Sequence, residues 1–181
     1  MQKTLYAYKI SVRPVSDKKP LDLESFEEDF LSVVDELISK DANERKHDFK
    51  HDKKVLYLDQ SEYYPDERII NIKFISAKYD SRRRVIDTNT LIDKGIPKKE
   101  QDGDEEKNHV SIKFVSDTEA VCLAETNYYG IGFGKIVYYL QHQIKDYHRK
   151  KKDGCYYNLD YKNIVSKDFI KSLEQLKRLA E

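Results

Sequence analysis

Two apolar alternations joined by a short polar turn constrain this chain more than any other feature of it. Over Val110–Ser116 the residues Val110, Ile112 and Phe114 recur at every second position, and Asp117–Glu119 breaks the run. Ala120–Thr126 then resumes it with Val121 and Leu123. Successive side chains of a strand point to opposite faces, so such runs predict two half-buried strands, and the short turn predicts an antiparallel hairpin. The chain next passes through Asn127–Gly134 into a pattern with apolar residues at Ile136, Leu140, Ile144 and Tyr147. That spacing is one stripe of a helix. The cationic run His148–Lys152, with Gly154 just beyond it, predicts the helix C-terminus, where the dipole favours positive charge.

The remaining elements follow from the same two periods. Leu5–Val12 alternates with Tyr6, Tyr8, Ile10 and Val12 on one face and stops at Pro14, as a strand does. Asp22–Ser39 carries Leu23, Phe26, Phe30, Val33, Val34 and Leu37 at helical spacing, with Asp22 as the expected N-cap and acids in the early turns. Asp41–Lys54 reads as a charged connection. Val55–Asp59 and Arg68–Tyr79 read as strands, with Tyr63, Tyr64 and Pro65 in the turn between them. Asp87–His109 holds Gly95, Pro97, Gly103 and the acidic run Asp102–Glu106, and is expected to be a solvated, flexible loop. A last helix, capped by Ser166, carries Phe169, Ile170, Leu173 and Leu176 and runs up to Glu181, so a fragment of a longer chain is one expectation. The expected architecture is α+β, a largely antiparallel sheet with about three flanking helices, in one domain spanning residues 1–181. Regular strand–helix–strand alternation is missing, which argues against a doubly wound nucleotide-binding fold.

Charge and cysteine usage narrow the function classes. Thirty-three basic and 33 acidic residues give a net charge of zero, so no overall field draws the chain to nucleic acid or an anionic membrane, and association with protein is favoured. The 14 tyrosines, with no tryptophan, place much of the aromatic bulk at core margins where the hydroxyl finds a partner. Cys122 sits in a strand pattern as a small core residue, and Cys155 follows a glycine; the two have neither disulfide-framework nor metal spacing. No signal-like or membrane-length apolar run occurs, and a cytoplasmic protein without membrane contact is expected.

The local chemistry concentrates at the glycine turn Asn127-Tyr-Tyr-Gly130-Ile-Gly132-Phe-Gly134-Lys135. Glycines ahead of a helix let backbone N–H groups approach a phosphate, and Lys135 would add a charge. The spacing is neither a Walker loop nor a dinucleotide fingerprint. Closing the sheet against its helix is therefore the expected role of the turn. Glu125, Asn127, Gly130, Gly132, Gly134 and Lys135 are the candidate binding residues. Glu125 lacks the acid-x-lysine partner of a metal nuclease. His47 and His51 stand four apart within a lysine-rich stretch that disfavours a metal, so neither a metal, a cofactor nor a catalytic residue is expected. Basic clusters at Arg45–Lys54, at Arg82, Arg83 and Arg84, and at Arg149, Lys150, Lys151 and Lys152 lie near aromatic residues, the combination that contacts phosphate and stacks bases.

The segment Ala124-Glu-Thr-Asn127-Tyr-Tyr-Gly130 followed by Tyr138-Tyr-Leu140 resembles a pattern in uncharacterised bacterial proteins of mobile elements and phage-defence neighbourhoods. Those proteins have a strand ending in acid-x-Asn, a glycine turn and a helix with a Tyr-Leu pair. The resemblance spans Val110–Tyr147; it implies a defence or mobile-element setting and assigns no catalytic residue. Three function classes follow. The first is a non-catalytic interaction module with a protein partner or a homo-oligomer. The second is nucleic-acid binding through the basic clusters, and the third a metal-dependent nuclease or nucleotide-handling enzyme centred on Glu125.

Overall fold

The computed structural model describes residues 4–15, 21, 23–80, 84–96, 99, 102–126, 130–152 and 157–164. Asn127, Arg82, Arg83, Cys155 and the expected final helix lie outside them. Seven strands form one sheet in the order β2-β3-β4-β5-β6-β1-β7, and every pairing is antiparallel. They are β1 (Thr4–Pro14), β2 (His47–Phe49), β3 (Lys54–Tyr64), β4 (Ile69–Lys78), β5 (Asp104–Phe114), β6 (Glu119–Thr126) and β7 (Tyr157–Asn163). Two helices, α1 (Phe26–Ser39) and α2 (Phe133–Lys151), are present among the described residues. The α+β class and the antiparallel sheet thus match the sequence reading.

Both helices cover the same face of the sheet. Phe26 and Phe30 of α1 meet Phe114 of β5 edge-on, and Phe133 of α2 stacks on Tyr8 of β1 at 4.0 Å between ring centroids. Tyr139 of α2 packs against Phe74 of β4 and its hydroxyl accepts the Leu58 N–H. Burial pushes that hydroxyl up to about 12. The stripe Ile136, Leu140, Ile144 and Tyr147 is buried as expected.

Several elements differ from the sequence reading. The N-cap of α1 is Ser25, in extended backbone (φ −146°), and its Oγ accepts the Glu28 N–H at 3.3 Å. Ser25 and Glu28 have the spacing of a capping box, which starts the helix three residues after the expected cap Asp22. On β6 the inward residues are Ala120, Cys122 and Ala124, all fully buried, whereas Val121 and Leu123 point to the other face. Pairing Ile112 with Cys122 and Tyr8 with Cys122 sets that register, and small side chains there leave room for the aromatic rings of the helical layer. Burial alone raises the Cys122 thiol pKa.

Tyr63 and Tyr64 belong to β3, and the turn is confined to Pro65–Glu67, closed by Arg68 at φ 53°. Asp104–His109, read as loop, extends β5: Lys78 faces Asp104 and Lys73 faces His109 across the β4 ladder. The expected connection Asp41–Lys54 contains edge strand β2, whose polar composition suits a sheet edge. Strand β7 was not expected at all.

Candidate functional site

The glycine turn and the lysine-rich stretch after residue 45, far apart in sequence, come together at the N-terminal end of α2. Gly132 is the helix N-cap at φ −72°, a conformation open to any residue. At Gly134 a Cβ would meet the tip of the Tyr161 side chain on β7, 2.6 Å from its hydroxyl, a contact that the partly exposed tyrosine can relieve by shifting. Lys54 donates to the Gly130 carbonyl at 2.6 Å, and the Lys135 ammonium pairs with Asp52. That pairing lowers the Asp52 carboxyl pKa.

Between these segments lies an open cleft of about 460 Å³, lined by His47–Asp52, Gly134, Lys135 and Tyr138. Aromatic rings form one wall. Phe49 lies 5.9 Å from Tyr138, and His47 lies 4.6 Å from Phe49, 5.5 Å from Tyr138 and 5.2 Å from His142. Lys135 Nζ stands 5.5 Å from the centre of the Phe49 ring. Burial, then the neighbouring His142, lowers the His47 pKa below its ordinary 6.5. The folded chain therefore holds His47 neutral more firmly than the unfolded chain does. Stability from this group is therefore complete above about pH 6.5 and is lost as pH falls through the lowered folded value. Titrating the ring by NMR should give a midpoint under 6.5, and His47→Gln should flatten the acid side of the stability curve. A midpoint at or above 6.5 would contradict this packing.

Glu125 is held elsewhere. It lies on the sheet face opposite the helices, nearly buried, with Oε2 2.8 Å from His109 Nδ1. Asn108 donates to its main-chain carbonyl at 3.3 Å. Glu125 and Lys135 thus occupy opposite sides of the sheet. Near Glu125 an open groove of about 710 Å³ runs across the uncovered face, with Leu5 and Leu123 against Gln60, Glu62, Lys73 and His109. Cross-strand pairs neutralise much of this face: Lys73 with Asp59 at 2.6 Å, Lys9 with Glu119 at 2.6 Å and Arg13 with Asp160 at 2.7 Å.

The other basic residues are engaged locally. Lys150 pairs with Glu36 at 3.6 Å, Arg149 with Asp146 at 3.0 Å, and Lys151 lies 4.2 Å above the Tyr147 ring. Lys152 is the left-handed C-cap of α2, its N–H donating to the His148 carbonyl at 2.9 Å. Arg84 pairs with Asp93 at 3.1 Å. No three His, Cys, Asp or Glu residues converge as a metal-binding group among the described residues. No described helix is long and apolar enough to cross a membrane.

A second element, besides β7, escaped the sequence reading. Residues 84–96 form a small hairpin that begins at the residues just ahead of the expected loop Asp87–His109 and runs into it. Val85 N–H donates to the Gly95 carbonyl, Lys94 N–H to Val85 and Asp87 N–H to Ile92, at 2.7–2.9 Å. Asp87 Oδ1 accepts the N–H groups of Asn89 and Thr90, and Lys94 pairs with Asp87 at 2.8 Å. The Lys94 contact and those two N–H groups lower the Asp87 pKa. Leu91, at the tip, takes φ 57°, a left-handed conformation that a leucine rarely adopts. Five aliphatic side chains are open to solvent: Leu91 at 74%, Ile92 at 64%, Ile86 at 54%, Ile96 at 49% and Val85 at 41%. The signal in the sequence was this aliphatic content, unusual for a solvated loop.

No family model, curated protein or solved structure matches this chain.

Proposed function

We propose that this chain is a non-catalytic interaction module, one component of a bacterial antiviral-defence or mobile-element complex, and that it docks a protein partner through the hairpin at residues 84–96. The observation carrying this reading is the exposure of five aliphatic side chains on one hydrogen-bonded hairpin. Five exposed aliphatic side chains on one short hairpin depart from the single, scattered exposures normal for a protein surface. The hairpin's charges pair within it, Arg84 with Asp93 and Lys94 with Asp87, so an apolar pocket could receive it without stranding an ion. That self-neutrality favours a protein pocket over an anionic lipid surface. Leucine in a left-handed tip is strained, and such strain is concentrated at recognition sites. The bacterial defence setting rests on the resemblance of Val110–Tyr147 alone.

Affinity purification of the tagged full-length chain from its bacterial host, beside the variant Leu91→Asp/Ile92→Asp, tests the reading. A protein retained in stoichiometric amount by the wild type and lost by the variant is the expected result. Equal retention by both, or no stoichiometric partner for a wild type that light scattering shows to be monomeric, would sink it.

A further inference from the structure

A second, separate surface carries its own ligand chemistry. The cleft between β2 and the start of α2 combines an aromatic wall with the ammonium groups of Lys50 and Lys135 and the carboxylates of Asp48 and Asp52, and no part of the hairpin lines it. Tyr138, 58% exposed, presents its ring to solvent beside the half-buried Phe49. Lys50 and His51 are exposed on its rim, and Lys135 reaches across the Phe49 ring toward Asp52. Lys54 lies behind, bonded to the Gly130 carbonyl.

We propose that this cleft binds single-stranded nucleic acid, with a base on the Tyr138–Phe49 wall and phosphates at Lys135 and Lys50. The rings supply a sequence-tolerant stacking surface, since every base has a π face. The lysines flank that surface on the β2 side and on the helix side, as a strand's phosphates flank its stacked bases. The ammonium groups are also crowded. Burial first, and then Lys135 and Lys78, lower the Lys54 pKa. Two carboxylates, Asp48 and Asp52, line the same cleft as Lys50 and Lys135, and Asp52 pairs with Lys135. A phosphate at Lys135 would displace Asp52 as the partner of that ammonium. Duplex is disfavoured because its bases are stacked inside and offer no free face to the wall. The zero net charge of the chain limits the contact to this locality, so few phosphates are neutralised.

Fluorescence anisotropy with the full-length chain tests this, using labelled single-stranded DNA and RNA of about 20 nucleotides, the matched duplex and a labelled mononucleotide. Binding of a single strand at low salt is expected. With about two phosphates neutralised, at Lys135 and Lys50, affinity should fall roughly sevenfold between 50 and 200 mM salt. Tyr138→Ala should weaken binding about tenfold and Lys135→Glu at least as much; Lys135→Glu sets a second carboxylate beside Asp52, so its folded fraction is checked by circular dichroism and binding is compared at equal folded concentration. Lys113→Glu, the same charge change on the opposite face of the sheet, should leave binding intact. The proposal is overturned by absence of binding at 50 mM salt, or by tighter binding of duplex than of single strand. It is equally overturned if the mononucleotide binds as tightly as the strand. Equal sensitivity to Lys113→Glu and Lys135→Glu would place any binding elsewhere and overturn it too.

Discussion

Replacing Asp29 with alanine is expected to destabilise the chain by about 3 kcal/mol, roughly 6–12 °C in melting temperature for a protein of this size. Asp29 is in the first turn of α1, and its Oδ2 receives two groups from other elements. His148 Nε2 of α2 lies 3.1 Å away, and the Tyr157 hydroxyl of β7 donates to it at 2.6 Å. His148 is 1% exposed and Tyr157 is fully buried. One carboxylate therefore ties α1, the end of α2 and the outermost strand on that side of the sheet. Removing it strips a charged acceptor from two groups that have little access to water, which costs far more than losing a surface pair. Asp29→Asn keeps the shape and one acceptor oxygen and should recover part of the loss. Thermal or denaturant unfolding of both variants measures this. A loss under 1 kcal/mol for Asp29→Ala would show that the three elements are held by their apolar contacts alone.

The second large effect belongs to the hairpin at residues 84–96 and to binding rather than stability. Burying a leucine or isoleucine side chain contributes about 1.5–3 kcal/mol. Putting two carboxylates in their place adds the cost of desolvating charge. Leu91→Asp/Ile92→Asp should therefore weaken partner binding by at least about 100-fold, measured by isothermal titration with the purified partner. The melting temperature should stay within about 2 °C of wild type, because the two side chains are solvated in the free chain. A melting temperature lowered by much more would mean that they pack inside the fold and are not displayed.

Much of the fold was legible because the chain keeps its periods clean. Ile70, Ile72 and Phe74 of β4 and Val110, Ile112 and Phe114 of β5 alternate and are buried as the alternation demands. The helical stripes of α1 and α2 did the same. What escaped was local polarity and distant pairing. Strand β7 does alternate, as Tyr157, Leu159 and Tyr161, yet it is short and its partner is β1, so that Tyr8 pairs with Asn163 from the far end of the chain. Strand β2 has only three residues at a sheet edge, where polar side chains are favoured and the apolar signal vanishes. Asp104–His109 pairs with β4, while the β5–β6 pairing begins only at Val110, which explains its charged composition.

The candidate sites divided along the same line. Gly134 and Lys135 could be singled out from the sequence as a turn next to a helix. Their meeting with the lysine-rich stretch could not, because Lys135 and Asp52 are 83 residues apart. Glu125 and Lys135 looked like neighbours in sequence, ten positions apart, but the two-residue period of β6 sends Glu125 to the opposite face. The hairpin's aliphatic residues were in view, but the glycine, proline and charges around them read as a solvated loop.

Amide hydrogen exchange of the chain alone and in the complex it purifies with is the most direct test of docking through residues 84–96. New protection concentrated in that hairpin, with β2, α2 and the groove beside Leu5 and Leu123 unchanged, is the expected result. Protection centred on that groove or on the β2–α2 cleft, with the hairpin exchanging as it does in the free chain, would contradict it.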